Sequence, residues 1–247
     1  VIAKKRAVAW FSCGASSAVA ASLTLSKYKE NCSVVYCDTM KNEHPDNVRF
    51  FADVERWLEQ PIVRVRSTKF DTIDNVFERT RYMAGIRGAR CTTELKKIPR
   101  FEYQRADDIH VFGFTVEETV RIERFCENNP ELTVDFVLAE HGVSKKDCIS
   151  ILDAVGIQPP AMYALGYRNN NCLGCVKATS AHYWQMVRRD FPEVFHRRAQ
   201  QSRELGVTLT RMKGVRIFLD ELPLDYLPAE GLEDISCGPD CGPESKL

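Results

Sequence analysis

No apolar run in this chain of 247 residues approaches the ~20 residues needed to span a bilayer, so no membrane-spanning segment is expected. There is no surplus of charge either. Lys plus Arg number 34, as do Asp plus Glu, so no global field draws in nucleic acid. No internal repeat is present, which excludes a solenoid. Nor is a secretory leader expected in the basic and apolar stretch near residue 5. Lys4-Lys5-Arg6 before Ala7–Phe11 resembles one, but Ser12, Cys13, Gly14, Ser16 and Ser17 interrupt the apolar stretch, and a strand–turn–helix accounts for it better. The expected location is therefore cytoplasmic. One long segment, Ile217 to Ser245, lacks Lys and Arg altogether while holding Asp220, Glu221, Asp225, Glu230, Glu233, Asp234 and Asp240. The opposite bias occurs from Arg79 to Arg105, where eight Lys and Arg face only Glu94 and Glu102.

Ten cysteines fit a disulfide framework only in a small secreted domain, so reduced thiols serving a metal or catalysis are expected. Strands are expected at Ala7–Phe11, Ser33–Cys37, Ile62–Val65 and Ile109–Phe114. Helices are expected from Ser16 to about Lys27, from Pro45 through Leu58, and over Val116–Phe125. This alternation predicts an α/β fold, a Rossmann-like parallel sheet with helices on both faces and ligands at the carboxyl ends of its strands. Ser144 with Asp147 reads as a capping box, opening a helix with Cys148, Ile151, Leu152 and Val155 on one side and Gly156 at its end. Pro159-Pro160 then breaks the chain. The organisation expected is a nucleotide-binding α/β domain over 1–157, a helical metal-binding section over 158–222, and a Pro/Gly-rich tail over 223–247.

Two places carry chemistry. Phe11-Ser-Cys-Gly-Ala-Ser-Ser17 joins a strand to a helix, where free N–H groups and a positive dipole end favour an anion; small residues there also serve plain packing. Cys172-Leu-Gly-Cys175 puts two sulfurs within reach of one metal, and Cys91 supplies a third from far upstream. Soft thiolates select zinc or an iron–sulfur cluster. The remaining Cys13, Cys32, Cys37, Cys126 and Cys148 lie in apolar stretches and read as small core residues, as do Trp10, Trp57 and Trp184.

The phosphate turn resembles the Ser-Gly-Gly-x-Asp-Ser loop of the ATP-pyrophosphatase and PAPS-reductase superfamily. Ser12, Gly14 and Ser17 match; Cys13 replaces a glycine, Ser16 replaces the aspartate, and Ala15 stands where ATP-cleaving members often carry lysine. That last departure weighs against ordinary adenylation but not against nucleotide binding. Asp38-Thr39 is similar to the family's Asp-Thr-Gly, with Met40 for glycine; a turn cap is the competing role for Asp38. Cys91, followed by Lys96 and Pro99, resembles PAPS and APS reductases and the sulfurtransferases of DNA phosphorothioation, with Thr92 where APS reductases double the cysteine. Gly113-Phe-Thr-Val-Glu-Glu-Thr-Val-Arg121 resembles Gly-x-Arg-x-x-Glu, with Thr115 for the arginine; Glu117 and Arg121 are candidates, or an exposed i,i+4 ion pair. In the tail, Cys237-Gly238 resembles the reductases' terminal Glu-Cys-Gly, with Ser236 for the glutamate and Asp240 near the histidine position.

The resemblance implies an enzyme of sulfur or redox chemistry, either a reductase of activated sulfate or a sulfurtransferase acting on a nucleic acid or small molecule. Its cofactors would be an adenine nucleotide (ATP, APS or PAPS), held by Ser12, Gly14, Ser16, Ser17, Asp38, Lys96 and Arg121, and a [4Fe–4S] cluster on Cys91, Cys172 and Cys175. Cys237 is the implied nucleophile, with a thioredoxin-like partner as reductant. Zinc is the alternative metal, with Cys241, Cys237 or His182 as fourth ligand; Cys237 and Cys241 would then form a structural clip. A zinc-stapled nucleotide-binding regulatory module is the alternative to an enzyme. The basic run from Arg79 to Arg105 is either a solvated face or an attractor for sulfate or phosphate.

Overall fold

The computed structural model describes residues 5–85 and 88–226. Strand β1 (Ala7–Phe11) leads into helix α1 (Ala15–Tyr28), and β2 (Cys32–Cys37) into α2 (Asn47–Trp57). Then come β3 (Val63–Val65), α3 (Ile73–Thr80) and a short hairpin of β4 (Ala84–Gly85) and β5 (Gly88–Ala89). Next, α4 (Arg90–Thr92) runs through a π-turn over Thr93–Lys97 into α5 (Ile98–Tyr103). Strand β6 (Ile109–Val111), α6 (Thr119–Asn128), β7 (Thr133–Asp135), α7 (Val137–Glu140) and α8 (Lys145–Ala154) complete the α/β part. Helices α9 (Ala161–Ala164), α10 (Ala181–Asp190) and α11 (Pro192–Leu205), then a hairpin of β8 (Thr210–Met212) and β9 (Val215–Ile217), form the remainder.

The parallel sheet has the order β3-β2-β1-β6-β7. Every residue of β1 is buried, as expected of a central parallel strand covered on both faces. Ala7, Ala9 and Phe11 face a core shared with α1, α2, α7 and α8. Val8 and Trp10 face the other layer, with Val35, Phe112, Phe114 and Phe125. There Trp10 Nε1–H donates to His110 Nδ1 at 3.0 Å. Burial, then the charge of Arg100, push the His110 pKa down to about 4, so this imidazole stays neutral. The chain leaves β1 for β2 on one side and later reaches β6 on the other, so the switch point lies between the carboxyl ends of β1 and β6.

A second core joins α3, Met83, Ala89 and Leu95 to α10, α11 and Trp184. The C-terminal helices thus pack against the stretch between β3 and β6. Pro99 accounts for the π-turn. It has no N–H for the carbonyl of Leu95, and its ring would press on that turn. The chain widens instead, and Ile98 N–H bonds the carbonyl of Thr93, five residues back.

Several expected elements shift. The fourth strand ends at Val111, because Phe112–Phe114 turns over the start of α1. The helix expected from Val116 opens as a 3₁₀ turn, Val116–Glu118, before α6. The Ser144–Asp147 capping box is present, and Gly156 follows α8 in the left-handed region at φ +76°. Val155 is exposed, however, because it lies past the end of the packed face. Cys126 is also exposed, while Cys13, Cys32, Cys37 and Cys148 are core residues as expected. Trp57 is half-buried against the first core. No helix among the described residues is long and apolar enough to cross a membrane.

Candidate functional site

Cys91, Cys172 and Cys175 line one pocket, although 81 residues separate Cys91 from Cys172. Lys96 and Thr39 share its lining, and Ile73, Phe77, Leu95 and Val176 supply apolar wall. Cys172 and Cys175 are buried and Cys91 is half-buried. The Cys-x-x-Cys turn is held from four directions. Leu173 N–H bonds the carbonyl of Asn42 at 2.8 Å, just after β2. Cys175 N–H bonds the hydroxyl of Tyr183 at 2.8 Å. Arg198 Nε–H reaches the carbonyl of Gly174 at 3.3 Å, and the carbonyl of Cys175 accepts Ala178 N–H at 3.0 Å. Gly174 has φ +63°, and a Cβ there would lie 2.7 Å from Val194 Cγ1, so glycine is required twice over. Arg198 is itself fixed by Asp74 and by Gln201 Oε1.

Three thiols with a buried cation beside them are the donor chemistry of zinc or iron–sulfur sites, and a neighbouring ammonium favours the thiolate. The residues therefore fit such a group by kind. Among the described residues, no three His, Cys, Asp or Glu side chains stand close enough to hold one metal ion. Cys237 and Cys241 lie outside the described residues. His182, at the start of α10, is half-buried and absent from the pocket lining.

Behind the pocket runs a buried polar chain. Glu43 accepts from Thr39 Oγ1 at 2.6 Å and from Asn47 Nδ2 at 2.7 Å. Asn47 Oδ1 accepts from Asn170 Nδ2 at 2.9 Å, and that amide also donates to the carbonyl of Cys13 at 2.6 Å. Burial pushes the Glu43 carboxyl above its ordinary range, against the opposing charge of Lys96 and the bonds from Thr39 and Asn47. Burial also drives the Cys37 thiol to about 12, despite Lys96 and Arg100 nearby. Cys32 and Cys148 rise to about 11 for the same reason. These core thiols are unreactive at neutral pH.

The chain of bonds ends at the phosphate turn, which brings Ser12, Gly14, Ser16 and Ser17 together at the carboxyl end of β1. The N–H groups of Ser12, Gly14 and Ala15 are engaged within the protein. Ser17 Oγ accepts from Ser12 N–H at 3.0 Å and Gly14 N–H at 3.3 Å, and donates to the carbonyl of Gly14 at 2.9 Å. Ala15 N–H bonds the hydroxyl of Tyr163, from α9, at 3.3 Å. Cys13 adopts φ +58°, the left-handed region that favours glycine. Gly113 lies on the same turn: a Cβ on it would sit 2.7 Å from Ser17 N and 2.9 Å from Ser17 Cα. This close approach locks β6 to α1 at the switch point.

The other expected site residues are dispersed. Asp38 follows β2, its side chain 6 % exposed and paired with Arg66 at 2.7 Å and Arg64 at 3.5 Å. Its Oδ1 also accepts Met40 N–H at 3.1 Å, so it is a turn cap as well. It borders an edge cavity of about 550 Å³ shared with Lys41, Arg64, Arg66 and Lys69. Arg121 pairs with Glu118, not Glu117, and covers the Phe114 ring at 4.6 Å. The i,i+4 pair does not form because Glu117 instead accepts the backbone N–H of Lys145. Nor is the Arg79–Arg105 run simply a solvated face, since Lys96, Lys97 and Arg100 are buried. Sequence reasoning missed Glu43, Asn47, Asn170, Tyr163 and Arg198. The Asn run before Cys172 was their one visible signal. Compared with known proteins, the chain matches no family model and no curated protein.

Proposed function

We propose that this chain is an enzyme of sulfur or redox chemistry that uses an adenine nucleotide and a thiolate-bound iron–sulfur cluster, in the manner of the PAPS-reductase-like enzymes it resembles. One observation carries this reading: Cys91 and the Cys172/Cys175 pair, 81 residues further on, share a pocket with Lys96 at the strand ends of an α/β sheet. Cys91, Cys172 and Cys175 hold the cluster. Such a group supplies an iron centre that binds sulfur or exchanges electrons. Lys96 places a buried cation in the lining of the same pocket. Tyr183, Asn42 and Arg198 orient the Cys-x-x-Cys turn through its backbone, and Ile73, Phe77 and Val176 keep water from its apolar side. The phosphate turn and Asp38 are the candidate contacts of the nucleotide. Cys237, outside the described residues, is the candidate nucleophile.

Iron, sulfide and zinc analysis of anaerobically purified protein tests the proposal. The expected result is brown protein with about four irons per chain, as the cluster type requires, and loss of that iron in Cys91→Ser and Cys172→Ser. Colourless protein with one zinc, or iron retained in both variants, overturns it.

A further inference from the structure

Beside the cysteine pocket, a groove of about 540 Å³ runs between the β4–β5 hairpin and the segment that carries β8 and β9. Its floor is unusually bare, with Gly85, Gly88 and Gly206 contributing backbone alone. Among the described lining residues two are charged, Lys177 and Arg216, and both are cations. The groove also adjoins the pocket, since Val176 lines both.

The β8–β9 hairpin adds a second observation. Arg211 and Arg216 are cross-strand partners in its ladder, so their side chains leave the same face side by side. Both are exposed. Like charges directly opposite destabilise a two-stranded pair. The hairpin is nonetheless fastened firmly to the metal-site loop: Arg211 N–H bonds the carbonyl of Thr179 at 3.0 Å, four residues after Cys175. Two exposed arginines side by side on a fixed hairpin, Arg216 with its Nη1 held on the carbonyl of Thr208 at 3.1 Å, beside a groove whose described charged lining residues are cations, are the arrangement an anionic ligand would stabilise. Guanidinium forks match phosphate oxygens in pairs, and glycine lets a sugar–phosphate backbone come close.

We propose that this groove binds a single-stranded nucleic acid, whose phosphates lie against Arg211, Arg216 and Lys177 and whose path passes the mouth of the cysteine pocket. A nucleic acid strand fits better than an acidic protein segment, because the glycine floor offers no side-chain pockets with which to read a peptide. The proposal stands apart from the cofactor reading, since binding of the strand requires no metal.

Fluorescence anisotropy with a labelled oligothymidylate of about 12 nucleotides, within the size range of single-strand sites, tests it on the full chain across a salt series. Binding should weaken with salt. Arg211→Ala with Arg216→Ala should reduce the slope of log K against log salt by about 1.4, at roughly 0.7 per lost phosphate contact. Arg56→Ala, an exposed cation on α2, should leave it unchanged. Circular dichroism should show the double variant folded at the assay temperature, with at most a small fall in melting temperature from the lost Arg216–Thr208 hydrogen bond, which separates lost binding from lost fold. The proposal is overturned by absence of binding at low salt, by an equal effect of Arg56→Ala, or by a mononucleotide competing as well as the oligomer. Binding of polyglutamate where the oligomer fails would assign the groove to an acidic protein instead.

Discussion

The phosphate turn and the thiol pocket lie at the same end of the sheet and are built in opposite ways. The turn is assembled from neighbours in sequence, and a single hydroxyl, that of Ser17, takes up the N–H groups of both Ser12 and Gly14. The pocket draws on four separate stretches, carrying Thr39, Ile73, Cys91 and Cys172, and its central turn is held chiefly by Asn42, Tyr183 and Arg198, which lie outside it. A local motif satisfies itself at little cost, so its presence says less about a ligand. A constellation gathered over long range had to be specified by many contacts at once, and packing alone does not require three thiols at its focus.

The contrast predicts that damage to the remote supports of the pocket costs most. Arg198, 1 % exposed, bonds Asp74, Gln201 and the carbonyl of Gly174. Arg198→Ala should lower stability in urea by about 1.5–3 kcal/mol, the range for a lost hydrogen bond to a charged group, since Asp74 is partly exposed and keeps Arg197 at 3.3 Å. It also changes the acid limb. Burial pushes the Asp74 carboxyl up, and the charge and hydrogen bond of Arg198, with Gln201, more than offset this, leaving it below its ordinary value. A carboxyl lowered on folding stabilises above its unfolded pKa and loses that contribution as pH falls through the folded one. The parent should therefore keep its advantage over Arg198→Ala near neutrality and lose it below about pH 4. Equal acid unfolding of the two proteins at every pH would deny Asp74–Arg198 this role.

A smaller loss is expected where the turn meets β6. Gly113→Ala places a methyl group 2.7 Å from Ser17 N, and since the obstacle is backbone, the strand end must move. Overpacking of this kind costs about 1–3 kcal/mol, readable as a lower urea midpoint. No loss there would mean that β6 and α1 slide freely and the switch point is not locked.

The smallest effect belongs to the turn's own satisfaction. Tyr163→Phe removes the hydroxyl that accepts Ala15 N–H and also bonds the backbone of Asn170, at a cost of about 1 kcal/mol. It also leaves that N–H open to an anion. Calorimetry with an adenine nucleotide should show affinity unchanged or higher. A clear loss of affinity would make the tyrosine hydroxyl part of the binding site and erase the contrast between a self-satisfied turn and a gathered pocket.

How much of this was legible depended on range. The strand β1, the helix α1 and the capped α8 announce themselves by continuous or periodic apolar residues. Strand β7 did not, because only Asp135 of its three residues is buried, and a three-residue strand carries no alternation to read. Cys91, Cys172 and Cys175 stood out by spacing and by resemblance. Glu43 and Asn170 did not, because a single polar residue in a loop carries no sign of the contact that will bury it. The Glu117–Arg121 pair was a fair reading of helical spacing. It failed because a capping box turned Glu118 inward, and a distant backbone amide claimed Glu117.

The π-turn after Cys91 has a consequence for the timing of the helix. A π-turn holds one residue more than an α-turn, and at 3.6 residues per turn one residue is a rotation of about 100°. The limb bearing Cys91 and the limb bearing Arg100 are therefore out of step by roughly that angle, which helps Thr92, Lys96 and Arg100 all to be buried. Viewed as a length of chain, the segment is a regular helix with one residue let in. Taking out Glu94, which does not line the pocket, would restore the regular phase and swing Cys91 away from Cys172 and Cys175, with every side chain of the pocket still present.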